Sequence, residues 1–383
     1  SVREVIDNTN LPRINYEGFS YDGSGNVVPD SGCGSWLFEP QSTNLITYSE
    51  DFSNASWTKV EASVTSGFSS PDGLTNAYKL IASVNNSNHR IRSAIIPTAA
   101  VGTTVTFSIY IKPQEITKIA LVDNWTNLSY GVVNLTTNSV IEEAQGTTSV
   151  TEILNGFRRV SFTYQTANIN TLPAVYLLDD GYTSGNPTSY TFASDGTSGV
   201  YIWGAQTEQQ SYATSYIPTS GSSVTRNQDV CNNGGSLASI NSTEGTLYFE
   251  GAALADDLTN RTITLSDGTT TNFVLIRFND GGSNRIYTRV NVGGAVQYFD
   301  LEFSIDITNT NKIAIRYGDN NFATFINGSK VNSQLSGSVF GAGVLTELAF
   351  DNGAGNQNLF GKTKAVAVWK EALSDSELQS LTT

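Results

Sequence analysis

The side chains best suited to ligand chemistry lie together in one short polar stretch. It contains Asp123, Asn124, Trp125 and Asn127, and Tyr130 follows. An aromatic ring can cover the apolar C–H face of a sugar, while amide and carboxylate groups hydrogen-bond its hydroxyls. The stretch therefore predicts a ligand site centred on Trp125. A structural role for Trp125 is the alternative, because a large aromatic side chain usually buries most of its area.

A second, weaker candidate surface contains Asp180 and Tyr182, with Asp179 beside them. It has the same combination of a carboxylate and an aromatic ring. Most other tryptophans lie in alternating or motif-like contexts, which favour core positions. These are Trp57, Trp203 and Trp369.

Catalytic options are few in this chain. His89 is the one histidine, so a serine or cysteine hydrolase would have a single candidate for a histidine base. We expect His89 to be a polar loop residue and the protein not to be an enzyme.

Glycoside hydrolysis needs only two carboxylates. The adjacent pair Glu142-Glu143, however, would face opposite sides of a strand. This pair is therefore a poor catalytic candidate, and a polysaccharide-degrading enzyme is kept only as an alternative.

Oxygen-rich loops offer candidate calcium ligands. Asp280 follows Asn279, and Asp351 precedes Asn352. Calcium takes carboxylate, amide and carbonyl oxygens as ligands. Ordinary turn chemistry is the alternative for the same residues. We keep a structural calcium ion at Asp280, Asp351 and Asn352 as an expectation.

Composition restricts the class of protein. The chain has 383 residues, enough for two domains, with 39% hydrophobic and 15% charged residues. Its net charge of −14 disfavours nucleic acid and anionic membranes as partners. No stretch approaches the roughly 18 apolar residues of a membrane-spanning helix. Cys33 and Cys231 are too few for a disulfide scaffold. The sequence leaves open whether they pair.

Alternating apolar residues predict β-strands along most of the chain. Representative sets are Val105/Phe107/Ile109/Ile111, Val160/Phe162/Tyr164, Val200/Ile202, Leu247/Phe249, Val274/Ile276/Phe278 and Ile313/Ile315/Tyr317. Asn327-Gly328 predicts a tight hairpin, since both residues tolerate positive φ. Ser374 and Glu377 form a capping-box pattern that predicts one short helix at the end of the chain.

These signals predict an all-β protein of two tandem β-sandwiches. Residues 1–45 form an extended N-terminal arm that packs on the first sandwich, and 46–222 form a jelly roll. A linker, rich in Gly, Ser and Asn, covers 223–240. Residues 241–383 form a second sandwich that ends in the short helix.

Several segments resemble phage fibre and head-spike proteins. They are LFEPQSTNL at 37–45, YSEDF at 48–52, ASWTK at 55–59, GFRRV at 156–160, YIWGAQ at 201–206 and SYATSYIPT at 211–219. The resemblance implies a jelly roll like those of carbohydrate-binding modules. It also implies a position on the virion surface, outside the cell.

The second half resembles laminin-G-like and concanavalin A-like sandwiches. The resemblance rests on the Asn327-Gly328 hairpin, on GKTKAVAVW at 361–369 and on ALSDSEL at 372–378. The pattern is degenerate and identifies a fold better than a function.

Taken together, the residues and resemblances predict a non-enzymatic virion surface protein that binds host or environmental glycans. Expected partners are host cell-surface polysaccharide, other virion proteins and two further copies in a homotrimer, without membrane insertion. A purely structural virion decoration or connector protein with no sugar site is the alternative.

Overall fold

The computed structural model describes residues 34–126 and 128–383, and the backbone of three short strands before them. Asn127 and Cys33 lie outside the described residues. The chain divides into two compact units. The first unit contains Gln41–Asn227, and the second contains Gln228–Thr383 with the described part of Thr9–Pro40.

Short strands and turns make up the first unit. Four strands precede it in the chain: β1 (Arg13–Asn15), β2 (Phe19–Tyr21), β3 (Val27–Pro29) and β4 (Ser35–Phe38). Its own strands are β5 (Ser42–Asn44), β6 (Thr58–Val60), β7 (Ala62–Phe68), β8 (Ala77–Ala82), β9 (His89–Arg92), β10 (Ile96–Pro97), β11 (Thr104–Pro113), β12 (Lys118–Asp123), β13 (Tyr130–Asn134), β14 (Ser139–Ala144), β15 (Gly146–Glu152), β16 (Arg158–Gln165), β17 (Asn170–Thr171), β18 (Pro173–Leu178), β19 (Gly199–Glu208) and β20 (Val224–Arg226). Two 3-10 turns cover Leu154–Gly156 and Pro187–Ser189.

Two six-stranded antiparallel sheets form the sandwich of the first unit. One has the order β15-β16-β11-β19-β8-β7 and the other β14-β13-β12-β18-β9-β6. Apolar side chains from both sheets meet in one buried cluster, including Phe107 and Val160 from the first sheet and Leu121 from the second. This packing follows from the alternation of each strand, which turns every second side chain inward.

Tryptophan burial in this unit confirms one prediction. Trp57 and Trp203 are both buried, as their sequence contexts indicated.

The prediction that His89 is a polar loop residue is wrong. His89 begins β9 and is fully buried, with Nδ1 2.6 Å from the Glu61 carbonyl and Nε2 2.8 Å from the Phe192 carbonyl. Both carbonyls belong to segments distant in sequence, so the polar neighbours of His89 gave no indication that it is buried.

The second unit is also a sandwich. Its further elements are β21 (Glu244–Ala253), β22 (Arg261–Ser266), β23 (Phe273–Phe278), β24 (Arg285–Val292), β25 (Ala295–Phe303), β26 (Asn311–Gly318), β27 (Phe322–Ile326), β28 (Ser329–Gln334), β29 (Glu347–Ala349), β30 (Gly361–Trp369) and helix α1 (Asp375–Thr382). A seven-stranded sheet β1-β4-β30-β21-β26-β27-β28 and a five-stranded sheet β25-β24-β23-β22-β29 share a second buried core. The all-β prediction is thereby confirmed.

Local signals near the end of the chain are also confirmed. Asn327 and Gly328 have φ of 47° and 80° and connect β27 to β28. Ser374 caps α1: its hydroxyl accepts from the Glu377 N–H, and the Glu377 carboxylate accepts from the Ser374 N–H. Among the described residues, no helix is long and apolar enough to cross a membrane.

Part of the expected N-terminal arm lies elsewhere. Residues 35–38 pair with β30 in the seven-stranded sheet of the second unit, with Trp36 opposite Thr363. The prediction that this segment packs on the first sandwich is therefore wrong. Phe38 packs in the core of the second unit, stacked on Phe350 at 4.7 Å. The domain limits at 222 and 241 stay a prediction.

Candidate functional site

The loop that follows β12 presents Trp125, and Asp123 holds that loop in place. Asp123 is buried, and its Oδ1 accepts hydrogen bonds from the Trp125 N–H at 3.2 Å, the Leu172 N–H at 3.0 Å and the Thr171 hydroxyl at 3.2 Å. Burial raises the pKa of the Asp123 carboxyl, and the three hydrogen bonds oppose that rise. Asp123 is therefore a positioning residue that ties the loop to the start of β18.

Trp125 lies beside an open cavity of about 400 Å³ on the first unit, hereafter the Trp125 cavity. Trp125 is 37% exposed, and the exposed Ile95 supplies a second apolar wall. Asn124, Thr58 and Arg92 supply polar groups. The cavity thus combines an accessible aromatic face with hydrogen-bonding side chains, the combination that sugars require.

Asn124 is fixed in this wall by the sheet beneath it. Its Nδ2 donates to the Tyr176 hydroxyl at 2.8 Å, and its backbone N–H donates to the Leu172 carbonyl at 2.9 Å. Burial raises the pKa of Tyr176, while the positive charges of Arg90 and Arg92 oppose that rise. The Tyr176 hydroxyl therefore stays protonated at neutral pH and orients Asn124.

The structure buries the side chains of Tyr130 and Tyr182. Both are buried, and they pack in a cluster on the outer face of the β14–β6 sheet. Each hydroxyl donates to the Glu142 carboxylate at 3.3 Å, and the Gly185 N–H donates to the same carboxylate at 2.6 Å. Burial, followed by the charge of Glu142, raises the pKa of both phenols. These rings stabilise the sheet and offer no exposed face to a ligand.

Asp180 is exposed but lies far from Trp125. It follows the end of β18, whereas the Trp125 loop contacts the start of that strand. Six residues of β-strand span about 20 Å. The Asp180 carboxylate accepts from the Thr117 hydroxyl at 3.2 Å, and its carbonyl accepts from Lys118 at 3.0 Å. The two predicted surfaces are therefore separate.

Arg92 is the site residue that sequence reasoning missed. It ends β9, where it pairs with Thr58 of β6 and Ala174 of β18. The alternation of Arg90 and Arg92 in the sequence HRIR signalled one cationic strand face. The register that brings this face to the Trp125 loop depends on strands distant in sequence.

The proposed calcium ligands make ordinary loop contacts. Asp280 pairs with Arg277 at 2.6 Å. Asp351 Oδ1 accepts from the Gly353 N–H at 2.6 Å, and the Asn352 side-chain oxygen accepts from two amides further along the loop. Within 34–126 and 128–383, no three His, Cys, Asp or Glu side chains gather as a metal site. These contacts are those of ordinary turns, and the calcium expectation stays a prediction.

Chelation tests the calcium expectation directly. We expect EDTA to leave the thermal midpoint of the full chain unchanged, because Arg277 or loop amides already bond one oxygen of each of these side chains. The measurement is thermal unfolding with EDTA and with added Ca²⁺. A lower midpoint in EDTA that Ca²⁺ restores would show that a calcium ion stabilises the protein.

Comparison with known proteins gives fold-level matches. No protein-family model matches the chain, and no curated protein matches it. Among solved structures, the carbohydrate-binding module CBM40 of the Ruminococcus gnavus IT-sialidase, bound to α2,3 sialyllactose, is 15% identical with a TM-score of 0.32. It covers 37% of this chain and 84% of its own.

Two further structures match at similar levels. The SAP-like pentraxin from Limulus polyphemus is 12% identical with a TM-score of 0.31, covering 40% of this chain and 74% of its own. Sheep galectin-11 in complex with glycerol is 9% identical with a TM-score of 0.26, covering 36% and 96%. The fold class of this chain rests on its own sheet topology.

Proposed function

We propose that this protein binds carbohydrate through the Trp125 cavity and does not cleave it. The exposed Trp125, which lines a cavity together with Asn124, carries the proposal. An accessible tryptophan face is costly in water unless a ligand covers it, and the polar wall gives a sugar's hydroxyls their partners.

The biological setting we propose is the surface of a phage virion. The support is the resemblance of segments such as 37–45 and 201–206 to phage fibre and head-spike proteins. In that setting the cavity attaches the particle to host or environmental glycans. Assembly with other virion proteins and as a homotrimer would repeat the site and raise weak affinity through multivalency.

Replacing Trp125 with alanine tests the sugar site. We expect Trp125→Ala to lower retention on a glycan array and on whole cells by at least about 10-fold, because it removes the stacking face. Trp36→Ala is the matched control, since Trp36 is also exposed but belongs to the second unit. Unchanged binding by Trp125→Ala would place the site elsewhere.

A structural virion protein is the second candidate. Motif residues Asn44 and Gln206 make buried hydrogen bonds rather than reaching a ligand. Failure of the full chain to bind any glycan or cell would favour this candidate. Release of sugar products from a polysaccharide panel would instead show an enzyme.

A further inference from the structure

We infer that the Trp125 cavity selects carbohydrates that carry a carboxylate, and that Arg92 binds that carboxylate. This inference rests on the proposed sugar-binding function and names its ligand class. The observation behind it is an arginine that lines the cavity and whose side chain makes no hydrogen bond or ion pair with a described residue.

Arg92 differs from every other arginine with a described side chain. The others each donate to an oxygen of the protein, whereas the Arg92 side chain makes no hydrogen bond or ion pair with any residue that the structure describes. The nine residues with such bonds are Arg90, Arg158, Arg159, Arg226, Arg261, Arg277, Arg285, Arg289 and Arg316. Arg92 is nevertheless half-buried at the cavity wall. A half-buried guanidinium left without an acceptor is available to a ligand.

The charge around the cavity favours an anion. Among the described residues that line it, Arg92 is the one charged side chain and none is a carboxylate. Asp123, which adjoins the lining residue Asn124 in sequence, is buried and accepts three hydrogen bonds. Arg90 lies on the same strand face, with its guanidinium 5.4 Å from the centre of the Tyr176 ring. A protein of net charge −14 thus keeps a positive patch at this cavity.

Carboxylate is the anion that this geometry fits best. The planar guanidinium donates two parallel hydrogen bonds to the two oxygens of a carboxylate. With Trp125 on the ring face and Asn124 at the hydroxyls, Arg92 would then hold the acidic group of a uronic-acid-type sugar. A neutral sugar would leave the guanidinium without an acceptor, so the cavity discriminates against it.

The test compares acidic polysaccharides with their own uncharged esters. The full chain is measured by calorimetry or biolayer interferometry against polygalacturonate, alginate and hyaluronate, each beside its methyl ester. Methyl esterification removes the charge and keeps the sugar backbone. We expect at least one acid to bind about 10-fold or more tightly than its ester, and Arg92→Gln to reduce that preference to near one. Arg92→Lys should keep part of the preference.

Matched variants separate the possible failures. Arg289→Gln makes the same charge change in the second unit and should keep the preference. Trp125-dependent binding of neutral glycans without any preference for acids would overturn this inference and keep the proposed function. An acid preference that survives Arg92→Gln, or equal binding of dextran sulfate, would also overturn it. No binding to any glycan would overturn both.

Discussion

Asn44→Ala should destabilise the first unit by about 3–5 kcal/mol, because it leaves four buried backbone groups without partners. Asn44 is fully buried. Its Nδ2 donates to the carbonyls of Ala205 at 3.1 Å and Ile217 at 2.8 Å. Its Oδ1 accepts from the N–H groups of Ile46 at 3.1 Å and Thr207 at 3.2 Å. Alanine reaches none of these groups.

The measurement is guanidinium denaturation of the full chain, with hydrogen exchange read from peptides of each unit. Exchange should rise in the first unit at β19 and at 215–217, which Asn44 connects. Asn86→Ala is the control, since the Asn86 side chain is exposed and makes no hydrogen bond to any described residue. A stability change below about 1 kcal/mol for Asn44→Ala would mean that water or relaxed backbone replaces these bonds.

The hydrogen bonds of Asn44 give the segments that resemble phage proteins a structural role. Asn44 belongs to the segment 37–45, and three of the four groups it bonds belong to the segments 201–206 and 211–219 or lie next to them. Gln206 adds a second connection, because its Oε1 accepts from the Ile217 N–H at 2.6 Å. The motif residues therefore close the first sandwich by holding its opening and closing segments together. Their resemblance reports on a fold, and the proposed ligand site lies elsewhere.

Strand positions were predictable because they depend on local alternation. Val105, Phe107 and Ile109 follow one another at period two, and all three are buried in β11. The Asn327-Gly328 turn and the Ser374 cap are equally local, since each depends on residues within four positions. The pairing of residues 35–38 could not be predicted, because their partner strand, β30, lies over 300 residues further along the chain.

The candidate site was predictable from the sequence only in part. Trp125 was identifiable because polar, turn-forming neighbours keep a tryptophan near the surface. Tyr130 and Tyr182 have similar neighbours, yet both are buried against Glu142. Arg92 could not be paired with Trp125 from sequence. Their approach depends on the order β12-β18-β9, which no local pattern specifies.

Asp300→Asn should stabilise the second unit by about 2–3 kcal/mol at pH 8 and have little effect at pH 4. Asp300 is buried on the same face of β25 as the core residue Tyr298, and its Oδ2 has no hydrogen-bond partner. Burial, followed by the like charge of Glu302, raises the pKa of Asp300 to about 6 from the usual 3.8. Between these two values the folded state binds the proton more tightly than the unfolded state, so stability falls as pH rises. Asparagine keeps the shape of the protonated acid without the charge.

Thermal unfolding from pH 4 to 8 tests this sign. As the pH rises from 4 to above 6, the wild-type thermal midpoint should fall relative to the midpoint of Asp300→Asn. At pH 4 the two midpoints should converge. Asp306→Asn provides a control of opposite sign, because hydrogen bonds from the Thr308 hydroxyl and N–H lower the pKa of Asp306. Its wild-type carboxylate stabilises the fold at neutral pH and loses that effect as pH falls. Parallel curves for wild type and Asp300→Asn would show that Asp300 ionises in a hydrated environment, and the buried-acid account of β25 would then be wrong.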